Sequence, residues 1–279
     1  MSKKYGLIQL RGAGDIIIGL PIAKFIYNLG HEVYWVIDEH FHKSFQYAAP
    51  YINFIPLKPQ GNIHGNIYNE FWHEAPTRLL KEAGCEEIIS FPFEECRFGS
   101  QIQLENRFDN RFAQKARELD LSSFLTFDQF KYAVAGVPFR EKWNLDIRRD
   151  FEREQEFYKK IVGRKEKYIV IHNEAAMGTF KCEITDTNFL ESLFGKGIGI
   201  IKIEALSDSV FDWTTIIERS SGFIGLDSFF VNLVEQLELP IRKIFLRRSP
   251  VFFTPILRNE WEYLPLNFRV ADTLTYEKK

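Results

Sequence analysis

The sequence predicts an α/β protein made of two doubly wound, Rossmann-like halves, and three observations carry that expectation. Tyr5–Pro21 reads as an apolar run, a small-residue turn, an acid and then a helical segment, a strand–turn–helix unit. Ser220–Leu246 repeats the logic, with a turn at Asp227-Ser228, a helix and a further strand over Ile241–Leu246. Elsewhere short apolar runs alternate with helical patterns, which implies parallel sheets joined by crossover helices. At 279 residues the chain exceeds the usual single core and divides as residues 1–148 and 149–279.

Taken in order, the first half is expected to hold strands at Gly6–Leu10, Glu32–Ile37, Phe54–Leu57 and Glu87–Ser90. Gln101–Trp143 reads mainly as helix and connecting loop. Arg148–Gly163 sets Phe151, Phe157 and Ile161 among Glu, Arg and Lys, an amphipathic helix that opens the second half. Strands then follow at Tyr168–His172, Gly199–Ile203, Gly222–Gly225 and Lys243–Leu246, alternating with helices. No internal sequence repeat links the two halves.

Composition excludes several classes. The 45% apolar and 27% charged fractions are those of a globular protein. No apolar run approaches the ~20 residues of a membrane span. Met1–Tyr5 leads straight into the first strand, so no signal peptide and a cytoplasmic location are expected. With 36 basic and 38 acidic residues the chain lacks the basic excess of strong nucleic-acid binders. Local clusters at Arg148-Arg149, Arg242-Lys243 and Arg247-Arg248 read as solvated charge or a domain rim; Arg247 and Arg248, just past a strand end, are the pair that could face a ligand cleft. Cys85, Cys96 and Cys182 are odd in number and widely spaced, which fits neither disulfides nor zinc. His40 and His42 have no evident third ligand, and no metal is expected.

The first turn has a competing reading. Gly12 and Gly14 match two positions of a dinucleotide-binding fingerprint, and the strand ending at Asp38 supplies an acid where a ribose ligand would sit. The third position holds Ile17, where close helix–strand packing wants Gly or Ala. A dehydrogenase is therefore the minor alternative. Asp15 could also simply cap its helix. At the second turn, Asp227 and Ser228 stand where a helix begins, and the N–H groups of such a first turn suit phosphate.

Leu10-Arg-Gly-Ala-Gly-Asp15 resembles a shortened version of the Arg-Leu-x-x-x-Gly-Asp turn that opens the heptosyltransferase-like glycosyltransferases (glycosyltransferase family 9). Pro21 also suits that family's first helix. Asp227-Ser-Phe-Phe-Val-Asn232 is similar to the family's Asp-Ser/Thr-Gly-x-x-His turn, with Phe229 in place of the glycine and Asn232 in place of the histidine. Lys167–Lys181 looks like its first strand of the second domain and the following loop. The resemblance spans nearly the whole chain. It implies the GT-B architecture, two Rossmann-like domains facing a central cleft: residues 1–148 on the acceptor side and 149–279 binding the nucleotide sugar.

What the resemblance implies for the chemistry is an inverting, metal-independent transfer from a nucleotide-diphosphate sugar, with no further cofactor. Asp15 is the expected general base for the acceptor hydroxyl. Lys181, with helix N-terminal amides near Ser228 and Phe229, would meet the developing diphosphate charge. Asp227, Asn232, Asn173 and Thr179 complete the expected donor site, and Glu204, after a strand end, would hold ribose hydroxyls. Arg11 and Gly14 are expected on the acceptor side. So are Trp72 and His73, from the Gly-, Asn- and aromatic-rich segment Pro59–His73, whose composition suits sugars and also suits a plain loop. The acceptor is expected to be a surface glycan or a lipid-linked saccharide. Alternatives are a phage-type enzyme acting on modified DNA bases and a non-catalytic nucleotide or glycan binder.

Overall fold

A computed structural model of the chain describes residues 2–58, 74–91, 125–175, 180–181, 184, 187–247 and 255–265. The chain packs as two compact units, Met1–Arg148 and Arg149–Lys279. Of the sequence-expected residues, Trp72, His73, the rest of Pro59–His73, Thr179, Arg248, Cys96, Cys182 and the stretch 101–124 lie outside the described ones.

The first unit runs β1 (Lys4–Ile8), α1 (Ala13–Asn28), β2 (Glu32–Asp38), α2 (Glu39–Ala48), β3 (Asn53–Leu57), α3 (Ala75–Glu82), β4 (Glu87–Ser90) and α4 (Phe127–Ala135). Its four strands are parallel in the order β3-β2-β1-β4. β1 starts and stops two residues earlier than Gly6–Leu10. Lys4 already pairs with Glu32, and past Ile8 the chain leaves the sheet toward the turn. The central strand is buried on both faces, as parallel strands under helices must be. α1 lies close against the neighbouring β2 because Gly19 has no side chain: a Cβ there would stand 2.6 Å from Trp35 Cη2. Close packing thus falls to Gly19, two residues beyond the fingerprint position held by Ile17. α4 begins at a Thr126–Gln129 capping box and ends at Gly136 in the left-handed region, φ 71°. A 3-10 turn, Phe139–Trp143, follows.

The second unit runs α5 (Phe151–Val162), β5 (Tyr168–His172), a hairpin of β6 (Glu174–Ala175) and β7 (Phe180–Lys181), α6 (Thr187–Phe194), β8 (Gly199–Lys202), α7 (Thr214–Glu218), β9 (Gly222–Leu226), α8 (Phe229–Gln236), β10 (Arg242–Arg247) and β11 (Trp261–Pro265). Five parallel strands lie in the order β11-β10-β9-β5-β8. Ile169, Ile171, Leu190, Ile224, Leu226, Ile244 and Leu246 form one core across them. α5 starts later than Arg148 because Asp150 caps it, accepting from Arg153 N at 3.1 Å. Arg149 meanwhile folds back, donating to both carboxylate oxygens of buried Glu154 at 3.0 and 2.6 Å.

Within these basic clusters Arg148, Arg149, Arg242 and Lys243 each have a partner in their own unit. Arg148 stacks on Tyr47 with 4.0 Å to the ring centroid. Arg242 forms a two-pronged pair with Glu262, at 2.6 and 2.8 Å. Lys243 is buried and donates to the Leu239 carbonyl at 3.1 Å. β11 was not expected, and a buried carboxylate holds the chain that leads to it. Glu235 accepts from Arg258 N at 2.8 Å and from Trp261 Nε1 at 2.7 Å. No helix among the described residues is long and apolar enough to cross a membrane.

Candidate functional site

Open α/β sheets bind ligands beyond the carboxyl ends of their strands, at the point where strand order reverses. In the first unit that point lies between β1 and β4, because β2 and β3 lie on one side of β1 and β4 on the other. In the second it lies between β5 and β9, the flavodoxin-like order. Each of the two turns singled out in the sequence leaves a strand at one of these points.

At the first, Gly12 is the N-cap of α1, with φ 79°, and its carbonyl accepts from Asp15 N at 2.8 Å. Asp15 is thus the third helical residue, not the cap, and capping does not account for it. Its carboxylate is 37% exposed, with Oδ1 3.1 Å from Nζ of Lys131. Lys131 comes from α4 and is itself 1% exposed. Asp15 Oδ2 lies over Gly12, where a Cβ would approach it to 2.4 Å. Gly12→Ala is expected to meet both constraints at once, backbone strain of roughly 1–3 kcal/mol and a displaced carboxylate. Calorimetry on the variant should show a midpoint lowered by several degrees.

Arg11, just before the turn, is paired with a different carboxylate. Its Nε donates to Asp38 Oδ2 at 2.6 Å, and Asp38 Oδ1 caps α2 through His40 N at 3.0 Å. Asp38 is buried and committed to those contacts, which argues against the ribose role that a dinucleotide fold would give it. Gly14 lies partly buried in the first turn of α1.

At the second point, β9 ends in Asp227-Ser228, and Ser228 is the N-cap of α8. Its hydroxyl does not cap the helix; it lies 2.8 Å from Nδ1 of His172, the last residue of β5. The imidazole packs on Phe230, with centroids 4.8 Å apart. Burial lowers its pKa to about 4. A histidine with a depressed folded pKa is neutral in both states above pH 6.5. As pH falls from about 6.5 to about 4 the unfolded chain takes the proton first, so stability is lost across that window. His172→Asn is expected to remove that loss, on the order of 3 kcal/mol, from urea unfolding curves measured between neutral pH and pH 4.

The departures from the expected second motif have structural partners. The Phe229 ring is buried, edge-on to Phe211 and Phe230 at 5.4 and 5.1 Å, so only its backbone can serve a donor. Asn232 is 1% exposed; its Nδ2 donates to the Ser228 carbonyl at 2.9 Å, while Oδ1 has no hydrogen-bond partner among the described residues. Asn173 is buried directly after His172. Lys181 lies in β7, level with Glu174 of β6, so its backbone stands beside the chain leaving β5. Glu204 is exposed after β8, and Arg247 is exposed at the end of β10. Among the described residues no group of three or more His, Cys, Asp or Glu is placed to hold a metal.

Sequence reasoning missed His172 and Lys131. The first had a signal, a polar residue ending an otherwise apolar strand beside the turn. The second had none, because one lysine in an amphipathic helix reads as surface.

No family model matches the chain, and no curated protein matches it by sequence. Solved structures do resemble it in fold. The glycosyl transferase family 9 protein from Veillonella parvula aligns over 95% of this chain and 87% of its own, at 14% identity and a TM-score of 0.55. E. coli ADP-heptose lps heptosyltransferase II aligns over 94% and 90%, at 10% identity and 0.54. E. coli heptosyltransferase WaaC, solved with ADP-2-deoxy-2-fluoro heptose, aligns over 94% and 92%, at 14% identity and 0.51. The α/β architecture with parallel sheets is thus that of the GT-B glycosyltransferases.

Proposed function

We propose that this chain is an inverting glycosyltransferase, moving a sugar from a nucleotide-diphosphate donor to a hydroxyl acceptor without a metal. The observation that carries the reading is the Ser228 turn. It lies at the switch point of the second sheet and begins a helix, while its hydroxyl is drawn to His172 instead of capping that helix. A helix N-terminus of this kind suits phosphate, and the structural neighbours, two of them heptosyltransferases, support a sugar donor.

In this reading Arg149–Lys279 takes the donor. Ser228, the Phe229 amide and Lys181 meet the diphosphate, with Asp227, Asn232, Asn173 and Thr179 around them and Glu204 toward the ribose. Met1–Arg148 supplies the base. The acceptor oxygen attacks the anomeric carbon as the bond from that carbon to the diphosphate oxygen breaks. The electron pair leaves with the diphosphate, the acceptor proton passes to Asp15, and attack from the opposite face inverts the centre. Arg11, Gly14, Trp72 and His73 belong to the acceptor side, and the acceptor is a glycan or lipid-linked saccharide met in the cytoplasm.

Thermal unfolding against ADP, GDP, UDP and CDP, their sugars, NAD and NADP tests this directly. A donor at a hundred times its dissociation constant should add ~2.7 kcal/mol and raise the midpoint by degrees. A selective shift with one nucleoside diphosphate is expected, and turnover of the matching sugar should survive EDTA. A shift with NAD or NADP alone would overturn the reading. The buried Phe229 ring and the Asn232 substitution favour, as a second reading, a binder that has lost catalysis. For that protein Asp15→Ala should leave ligand binding and function intact.

A further inference from the structure

We propose that Lys131 is the positioning residue of Asp15: it holds one carboxylate oxygen from inside the protein so that the other is presented to the acceptor hydroxyl. The inference rests on the transferase reading above and adds to it a residue that lies far from Asp15 in sequence and on another helix.

An ammonium group has three protons to donate. Two go to Gln9 Oε1 at 2.9 Å and the Phe91 carbonyl at 3.4 Å, and the charge is paired with the third acceptor group, Asp15 Oδ1, 3.1 Å away. The Phe91 ring stands 5.9 Å away. Of these acceptors only Asp15 carries charge, and a cation removed from water needs a counter-charge. Gln9 and Phe91 follow β1 and β4 directly, so the lysine sits in the gap where strand order reverses.

The two carboxylate oxygens of Asp15 thereby acquire different surroundings. Oδ1 is tied to a side chain that is 1% exposed. Oδ2 lies over Gly12, the position with no Cβ to cover it. A carboxylate on an exposed helix turn would sample several rotamers; one tied at Oδ1 presents the same oxygen each time. Holding a base in one orientation is a rate effect, and a misplacement of about 1 Å can cost on the order of a hundredfold.

Lys131 is in turn held by its helix. Tyr132, the next residue, donates to the Ile18 carbonyl of α1 at 3.0 Å. α4 and α1 are thus pinned together beside the contact that sets the carboxylate.

Lys131→Met removes the charge and donors at similar volume. We expect the crystal structure of K131M to show Asp15 in a new or divided rotamer. We expect kcat to fall about a hundredfold with the donor dissociation constant unchanged. The double variant D15N/K131M should be no slower than D15N alone, because Lys131 acts through the carboxylate. If K131M does not fold, Lys131→Gln, which keeps an amide donor for the Phe91 carbonyl, gives the same comparison. An Asp15 rotamer unchanged in the variant overturns the proposal whatever the activity. So does a released Asp15 with unchanged kcat, or a double variant in which the two losses multiply. A wild-type chain inert toward every nucleotide sugar, with Asp15 released in K131M, sinks the transferase reading. Lys131 is then a structural clamp and not a positioning residue.

Discussion

Asp15→Asn is expected to lower kcat by on the order of 10²- to 10⁴-fold, the usual worth of a general base. The amide keeps the size of the carboxylate and a carbonyl oxygen for Lys131, but it cannot take the acceptor proton. The proposed reading gives donor binding to the other unit, so the thermal shift with the preferred nucleotide sugar should persist. That separation matters because Asp15 is also the counter-charge of a buried lysine. The amide leaves that lysine without its anion, and some stability should be lost together with rate. Measuring kcat, donor affinity and the unfolding midpoint on the same preparation keeps the two effects apart. Turnover within a fewfold of wild type would remove Asp15 from the chemistry.

Lys142→Met is expected to be the most damaging of these changes to stability, at ~3–5 kcal/mol. Lys142 Nζ and Asp128 Oδ2 are 2.7 Å apart, and both side chains are fully buried. Removing the cation leaves a carboxylate in the interior, where the cost is far larger than the net worth of the pair. Asp128 also accepts from Gln129 N at 3.0 Å and from the Thr126 hydroxyl, so it lies within the capping box that starts α4. The loss should therefore loosen the helix that carries Lys131 and Tyr132. Urea unfolding followed by a probe in the first unit reads it, since two units need not unfold together. Replacing Asp128 with Leu in the same chain should restore much of the loss, because a neutral pair leaves no buried charge. A loss under about 1 kcal/mol for K142M would show that Asp128 finds other relief.

The two predictions draw on different layers of the molecule. Asp15 could be singled out from Leu10–Asp15 alone, because a small-residue turn after an apolar run is set by local backbone chemistry. The same holds for Asp227-Ser228, and for a strand such as Tyr168–His172, whose apolar run announces burial on both faces. Neighbouring residues fixed these features, so the one-dimensional order contained them.

β11 was illegible because Trp261–Pro265 becomes a strand through Glu235 and the edge of β10, both distant in sequence. Lys131 and Lys142 look like the polar face of a helix and a loop, yet both are buried, since their charges are met by residues brought together only on folding. His172 lay in plain sight, but its link to Ser228 needed the adjacency of β5 and β9. From the sequence alone came the α/β class, the parallel strands and the two turns, all governed by apolar periodicity and local backbone preference. Strand order, the partners of the buried charges and the diversion of the Ser228 hydroxyl depend on which distant segments share one interior, and only the tertiary structure decided them.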